Sequence, residues 1–333
     1  LAVINGEDRM MDILQVARDK GLYIQGHAPF VFGRDLSAYL CGGPDTCHES
    51  RSAEEGIEKL RNGMFVDSRD SSITKNVADI WEGVKHCKYF DHLCFCTDDR
   101  EADDILHTGH INDVVRIAIR HGMNEIDAIK SCTLNTAREI KAENLGALAP
   151  GYIADMLIVK DLKDLTPTAV FYEGKLVAEN GKLLVDIEEK EYDLERRNSV
   201  YVKELCAEDF RIKAPIQNGT VKVNLMQYEN ELFSSTDAVC EEIVVKDGYL
   251  DISGDCHLKY VAVVNRYEGN DNIALGLVRD FGTDCGALAS TVSHDSHNLT
   301  IVYDTAENAL LAANELKKVG GGMCAVKDGE ILH

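Results

Sequence analysis

Short apolar runs that end abruptly at polar residues recur in the first part of the chain. Residues 93–96 (LCFC) are apolar and are followed at once by the polar residues 97–100 (TDDR). Residues 22–26 run in the same way into His27, and Cys47 leads into His48 after a glycine-rich turn. Runs this apolar predict strands buried on both faces, as in a parallel sheet covered by helices.

Helical periodicity alternates with these runs. Ser52 with Glu55 predicts a capping box at one helix start, and Asn124 predicts an N-cap at another. A further short strand is predicted over 64–66, and helices are predicted over 8–20, 36–40, 52–60, 73–85, 110–121 and 124–140. Four strand-then-helix units form either part of an open doubly wound sheet or half of an eight-stranded (β/α) barrel.

The pattern changes after residue 142. We therefore divide the chain into an α/β part over 1–142, a small β-sandwich segment over 143–185, a charged linker over 186–198 and an α+β domain over 199–333. The β segment is predicted to hold a strand and two hairpins, the second turning at Asn180-Gly181. In the last domain we predict strands over 258–264, 286–292 and 299–303, and a helix over 305–319 that ends at Gly320.

Charge and cysteine usage narrow the class of protein. The chain has 333 residues and a formal net charge of −22, which argues against a nucleic-acid backbone or an anionic membrane as partner. Eleven cysteines occur without a CxxC pair, which favours reduced thiols in a reducing compartment, and we expect a cytoplasmic enzyme. The chain starts at Leu1 without a recognisable targeting segment, so we expect a fragment or a processed product.

Three polar residues at predicted strand ends carry the candidate chemistry. His27, His48 and Asp98 each follow an apolar run, and the carboxyl ends of parallel strands meet at one edge of a sheet. Two imidazoles and a carboxylate are a usual ligand set for a divalent transition metal. The sequence therefore predicts a metal site formed by these three side chains.

The spacing of several motifs resembles that of a known family. Residues 26–29 (GHAP), 47–49 (CHE) and 96–100 (CTDDR) resemble the second half of the metal-dependent amidohydrolase barrel, and residues 146–155 resemble its return to a β-sandwich. Residues 109–111, 133–135 and above all 293–298 (SHDSHN) resemble the bacterial adenine deaminases. This resemblance implies a partial TIM-like (β/α) barrel, the second half, with a small β-sandwich segment and a C-terminal α+β domain.

The chain also departs from the family pattern. The His-x-His pair and the bridging glutamate of the first barrel strands are absent. An Arg-Glu-Gly-Ser motif appears as residues 69–72 (RDSS), and the usual Asp before the second His is Cys47. We therefore expect an incomplete chain that is inactive alone.

The resemblance implies hydrolytic deamination of adenine to hypoxanthine and ammonia, a reaction of purine salvage and catabolism. It assigns His27, His48 and Asp98 as ligands of a divalent metal, with Mn²⁺ or Fe²⁺ favoured and Zn²⁺ as an alternative. Asp98 and Glu49 are the implied catalytic residues. The implied substrate-binding residues are Arg69, Asp70, His294, Asp295 and His297. Asp99, Arg100 and His110 are expected to stand behind the ligands and to orient them. The expected partner is a purine, and we expect a homo-oligomer.

Alternatives stay open at this stage. The chain could instead be another amidohydrolase that acts on a cyclic amide or an N-acyl substrate, or a non-catalytic binding protein derived from the fold. Residues 293–298 have three interpretations: a substrate contact, a buried hydrogen-bonded corner, or a separate metal site formed by His294, Asp295 and His297.

Overall fold

A computed structural model describes residues 1–188, 190, 198–230 and 235–332. The chain divides into two compact units, Leu1–Glu188 and Glu189–His333. Most of the predicted linker over 186–198 lies outside the described residues. The division into four segments stays a prediction.

A three-stranded parallel sheet forms the centre of the first unit. Its order is β1 (Thr46–Cys47), β2 (Phe65–Arg69) and β3 (Leu93–Cys96), and β2 pairs with both neighbours. The four apolar residues predicted as a buried strand form β3, and Leu93, Cys94 and Phe95 are buried. Parallel strands need crossover connections, and helices supply them here.

A helix forms at each predicted place in this unit, with different bounds, and a further helix over 102–107 was not predicted. The helices are α1 (Asp8–Asp19), α2 (Gly33–Gly42), α3 (Ala53–Arg61), α4 (Val77–Val84), α5 (Ala102–His107), α6 (Ile111–Arg120), α7 (Glu125–Ser131) and α8 (Leu134–Glu139). The Ser52 side chain accepts from the Glu55 N–H, so the predicted N-cap of α3 is confirmed. The helix predicted over 124–140 is two helices, with Cys132 and Thr133 between them.

The prediction of a strand over 22–26 is wrong. These residues have no regular secondary structure. The segment does lie beside β1, because the Gly26 N–H donates to Thr46 Oγ1 at 3.3 Å and the Ala28 N–H donates to Cys47 Sγ at 3.3 Å. A ladder needs backbone carbonyls as acceptors, and side chains accept these two bonds instead.

Two boundaries also differ from the prediction. β2 continues beyond Val66 to Arg69, so three polar residues are buried within the strand rather than placed in a loop after it. The helix predicted from residue 73 begins after Asn76, because the Asn76 side chain accepts from the Arg69 N–H and donates to the Ser50 carbonyl.

The end of the first unit is a single antiparallel sheet. Its order is β4 (Met156–Val159), β5 (Pro167–Tyr172), β6 (Lys175–Glu179) and β7 (Lys182–Leu183). The predicted strand and both hairpins are confirmed. Within the described residues this is one four-stranded layer.

The second unit has one large sheet with a helix against it. The sheet contains nine strands in the order β10-β9-β8-β12-β11-β14-β13-β15-β16. Their bounds are β8 (Gly219–Asn230), β9 (Ser235–Lys246), β10 (Tyr249–Asp251), β11 (Leu258–Val264), β12 (Ile273–Arg279), β13 (Ala287–Ser290), β14 (Leu299–Tyr303), β15 (Met323–Lys327) and β16 (Glu330–Ile331). The sequence analysis did not predict β8, β9 or β12.

The helix of this unit is α9 (Ala306–Val319), and its predicted ends are confirmed. Thr305 caps the start by accepting from the Asn308 N–H, and Gly320 closes the end with φ +89°, a left-handed conformation that favours glycine. The alanines of α9 are buried with Leu316 against the sheet. No helix in the described parts of the chain is long and apolar enough to cross a membrane.

Candidate active site

The carboxyl ends of the parallel strands bring four of the predicted site residues together. His48 and Glu49 follow β1, Arg69 ends β2, and Asp98 stands two residues after β3. His27 joins them from the irregular segment beside β1. His27, His48 and Asp98 therefore lie at the same end of the sheet, and their joint role as metal ligands stays a prediction.

Glu49 is at the centre of the group. Its Oε1 lies 3.6 Å from His27 Nδ1 and 3.6 Å from His48 Nε2. The two imidazole rings meet edge to face, with centroids 4.4 Å apart. Ligand atoms of His27, His48 and Glu49 all lie within 4.8 Å of one another, so these three form a possible metal site.

Asp98 is placed slightly apart from that trio. Its Oδ2 lies 3.8 Å from His48 Nε2 and accepts a hydrogen bond from Arg69 Nη1. Sequence reasoning assigned Asp98 as a ligand and Glu49 as a catalytic residue, whereas in this geometry Glu49 is the carboxylate between both histidines. Asp98 is therefore bound to Arg69 and lies outside the group formed by His27, His48 and Glu49.

Arg69 connects the two carboxylates. Its Nη2 donates to Glu49 Oε2 at 2.9 Å, while Nη1 donates to Asp98, and the side chain is largely buried. This largely buried guanidinium favours the ionised form of Asp98.

The protonation states suit metal binding. Burial lowers the pKa of His48, and the neighbouring His27 lowers it further, so the imidazole is neutral near pH 7. Partial burial raises the pKa of Asp98, but the hydrogen bond and charge of Arg69 outweigh it and the net pKa is lowered. Neutral imidazole and ionised carboxylate are the ligand forms of these groups.

The donor set fits a divalent transition metal. Imidazole nitrogen and carboxylate oxygen bind such ions at about 2.0–2.2 Å. Two ligands of one tetrahedral ion are then about 3.4 Å apart. The observed 3.6 Å from Glu49 to each histidine is close to this separation. His27, His48 and Glu49 can hold one ion without large rearrangement.

The residues expected to orient the ligands act mainly on the loop after β3. The Asp99 N–H donates to the Asp98 carboxylate, which helps to lower its pKa. Arg100 binds Asp113 at 2.5 Å and the Asp70 carbonyl at 3.1 Å, so its guanidinium holds the base of this loop. His110 Nε2 lies 3.1 Å from Thr97 Oγ1.

Asp70 belongs to a different network from Arg69. Burial raises its pKa to about 6, against the opposing charges of Lys75 and Arg100, while Asp113 raises it further. Lys75 follows β2, Arg100 follows β3 and Asp113 is on α6, and none of them is a proposed metal ligand. A substrate contact from Asp70 stays a prediction.

The stretch 293–298 is held through its backbone. Arg266 Nε donates to the His297 carbonyl, and the Tyr267 hydroxyl donates to the Ser296 carbonyl at 2.8 Å. The side chains of His294 and Asp295 are exposed, so this is not a buried corner. The rings of His294 and His297 are 5.0 Å apart. Among the described residues, the groups that could hold a metal do not include His294, Asp295 and His297.

A buried acidic cluster was missed by sequence reasoning. Ligand atoms of Asp67, Cys94 and Glu139 lie within 4.8 Å of one another, and Tyr23 donates to Glu139. Burial raises the pKa of Asp67, as does its hydrogen bond to Glu139, and burial also raises the pKa of Cys94. Protonated ligands do not bind metal, so this cluster suits an ion less well than the histidine site. The sequence signal that could have indicated this cluster is the spacing of Asp67 and Arg69, because residues two apart in a strand lie on the same face.

Family models match both units. A model described as "Amidohydrolase family" matches residues 1–177, which is more than half of the chain. The chain belongs to the amidohydrolase family. A second model, described as "Adenine deaminase C-terminal domain", matches residues 234–333 of this amidohydrolase. The family implies a TIM-barrel-like α/β fold, here followed by a β-rich C-terminal unit.

Curated relatives align with nearly the whole chain. Similar proteins include "Adenine deaminase 2" of Carboxydothermus hydrogenoformans, 37% identical over 99% of this chain and 56% of its own length. "Adenine deaminase" of Moorella thermoacetica is 38% identical over 99% of this chain and 56% of its own length. The amidohydrolase chain thus spans little more than half the length of these relatives.

A solved structure, a beta-aspartyl dipeptidase from Fervidobacterium islandicum AW-1, is 17% identical and covers 54% of this chain and 55% of its own, with a TM-score of 0.40. That score is too low to support an argument.

Proposed function

We propose that this amidohydrolase supplies part of the active site for metal-dependent hydrolytic deamination of adenine to hypoxanthine and ammonia. The observation that carries the proposal is the placement of Glu49 3.6 Å from both His27 and His48. The choice of adenine rests on the relatives that bear the name adenine deaminase and on the C-terminal domain match.

Each residue has a role in this proposal. His27, His48 and Glu49 would hold one divalent ion, and Asp98 would be a further ligand, as the sequence predicts. The ion supplies Lewis acidity that makes water a competent nucleophile near neutral pH. Asp98 and Glu49, both beside the histidines, accept a proton and return it to the ring or to the leaving amine. Arg69 orients both carboxylates and favours the ionised form of Asp98.

We propose that residues 293–298 contact the purine. His294, Asp295 and His297 combine donors and acceptors on a backbone fixed by Arg266, and such a combination suits a purine edge. Arg69 and Asp70 are the other proposed substrate contacts.

The finer assignments belong to the same proposal. The first unit is the second half of an amidohydrolase barrel, and the β segment after it is part of the β-sandwich. The metal is Mn²⁺ or Fe²⁺, with Zn²⁺ as the alternative. The protein acts in the cytoplasm, in purine salvage, as a homo-oligomer and without a nucleic-acid or membrane partner.

The proposal is tested by following the conversion of adenine to hypoxanthine by ultraviolet absorbance, with Mn²⁺, Fe²⁺ or Zn²⁺ added. The 333-residue chain is compared with a chimaera that adds the part of the Moorella relative outside the aligned region. We expect no turnover by the chain alone, because it spans only 56% of the length of that relative. We expect turnover by the chimaera that is lost in His48→Ala. A chimaera that binds metal but leaves adenine unchanged would refute the assigned substrate.

A further inference from the structure

Helix α3 buries two charged residues behind the histidines. Lys59 and Glu55 are one helical turn apart, both are 0% exposed, and Lys59 Nζ lies 2.6 Å from Glu55 Oε1. Lysine and glutamate are rarely buried completely unless they are paired.

Lys59 binds both segments that carry the histidines. Its Nζ donates to the Ala28 carbonyl at 2.6 Å, directly after His27. It also donates to Ser50 Oγ at 3.0 Å and to Cys47 Sγ at 3.3 Å, on either side of residues 48–49. The Lys59 ammonium group therefore connects the segment that carries His27 to the segment that carries His48 and Glu49.

Glu55 repeats this connection with the opposite charge. Its Oε1 accepts from the Phe30 N–H at 2.8 Å, and its Oε2 accepts from the Arg51 N–H at 2.9 Å. Phe30 follows His27 by three residues, and Arg51 follows Glu49 by two. The ion pair thus fixes each segment through both a donor and an acceptor.

Stability alone is a weak reason for such a pair. Replacement of a buried ion pair by apolar residues of similar size is often neutral or stabilising, because desolvation of the two charges offsets their attraction. Removal of one partner, by contrast, leaves the other charge buried and unpaired, which is strongly destabilising. The directional contacts to two separate segments supply a different reason for the pair.

We propose that Lys59 and Glu55 are positioning residues that fix the separation between His27 and the His48–Glu49 pair. This inference rests on the proposed metal site. Partners that orient metal ligands typically change metal affinity about 10- to 100-fold when they are removed. Lys59 and Glu55 contact the backbone and side chains next to the ligands, so their effect acts through ligand spacing.

The test uses the 333-residue chain and a Co²⁺ titration followed by calorimetry. The variants are Lys59→Met, the double variant Lys59→Met with Glu55→Met, and Val114→Ala as a control. Val114 is fully buried in the core formed with β2, β3 and α4, so its truncation lowers the melting temperature while the ligand segments keep their contacts. The double variant keeps the test valid if the single variant unfolds.

We expect the double variant to keep a melting temperature close to that of the wild type and to bind Co²⁺ about 10- to 100-fold more weakly. The control should lose melting temperature and keep its Co²⁺ affinity. A double variant that binds Co²⁺ as tightly as the wild type would overturn the proposal, because a purely structural pair predicts that result.

Amide hydrogen exchange separates this inference from the proposed function. If the wild type binds no Co²⁺, the proposed metal site fails, and the positioning role is then judged by exchange at Phe30 and Arg51. We expect both amides to exchange faster in the double variant than in Val114→Ala. Unchanged exchange at both positions would overturn the positioning role itself.

Discussion

Arg69 Nη2 donates to Glu49 Oε2 over 2.9 Å, and this bond joins the last residue of β2 to the loop after β1. The same guanidinium donates to Asp98 after β3. Three neighbouring strand ends are therefore connected by one side chain. The site is organised by an arginine that is not a metal ligand.

Removal of Arg69 should raise the pKa of Asp98. Arg69 is the largest of the groups that lower this pKa against partial burial, so its loss in Arg69→Leu raises the pKa. A carbon-detected NMR titration of the Asp98 carboxyl measures the change. The matched control is Arg61→Leu, an exposed arginine on α3, which should leave the Asp98 titration unchanged. An unaltered pKa in Arg69→Leu would contradict the assigned pairing.

Asp67→Asn should stabilise the fold near neutral pH. Burial raises the pKa of Asp67, so the folded state keeps a proton that the unfolded chain releases above pH of about 4. Wild-type stability therefore falls as the pH rises above that value, and asparagine removes this contribution. Urea unfolding of both proteins at pH 4 and pH 7.5 should show the difference growing with pH. The control is Asp103→Asn, which changes an exposed side chain. The claim would be refuted if the free energy of unfolding changed with pH equally in Asp67→Asn and in the wild type.

Local signals explain which elements the sequence could predict. β3 is a continuous apolar run bounded by polar residues, and α9 has a Thr305 cap and a Gly320 stop, so each is specified by its own residues. The hairpin of β8 and β9 was missed although Val221, Val223 and Leu225 alternate with polar residues, the pattern of a half-buried strand.

Non-local contacts explain the rest of the site. Residues 22–26 have strand-like composition, but their N–H groups meet side chains of β1 instead of a backbone ladder. Position after an apolar run was enough to predict that His27 lies beside His48 and that His48 lies beside Asp98, although residues 22–26 are not a strand. The central place of Glu49 and the burial of Lys59 depend on how separate segments pack, which a linear pattern does not contain.

Gly286→Ala should destabilise the second unit. Gly286 has φ +89°, and an added Cβ would lie 2.0 Å from the Val326 carbonyl oxygen at the junction of β13 and β15. Left-handed backbone and a backbone clash together cost more than about 1 kcal/mol. Thermal unfolding should show a lower melting temperature for this variant. Gly254→Ala, which meets nothing within 4 Å and has no positive φ, should differ little from the wild type.

Asp295→Asn should lower kcat/KM for adenine in the active chimaera without a change in melting temperature. The Asp295 side chain is exposed, so its charge contributes little to the fold, whereas the proposal places it at the purine. Steady-state kinetics and thermal unfolding of the same preparation check this. The control is Asp237→Asn, also exposed in the second unit. Unchanged kinetics would remove Asp295 from the substrate site.

The most direct test of the account is a Co²⁺ titration of the 333-residue chain by calorimetry, compared with His48→Ala and with His107→Ala on the exposed face of α5. The account predicts that the wild type and His107→Ala bind one ion with equal affinity. It predicts that His48→Ala loses at least about tenfold in affinity, because His48 lies 3.6 Å from Glu49 in the proposed ligand set. Wild-type affinity in His48→Ala would contradict the claim that this group is a metal centre.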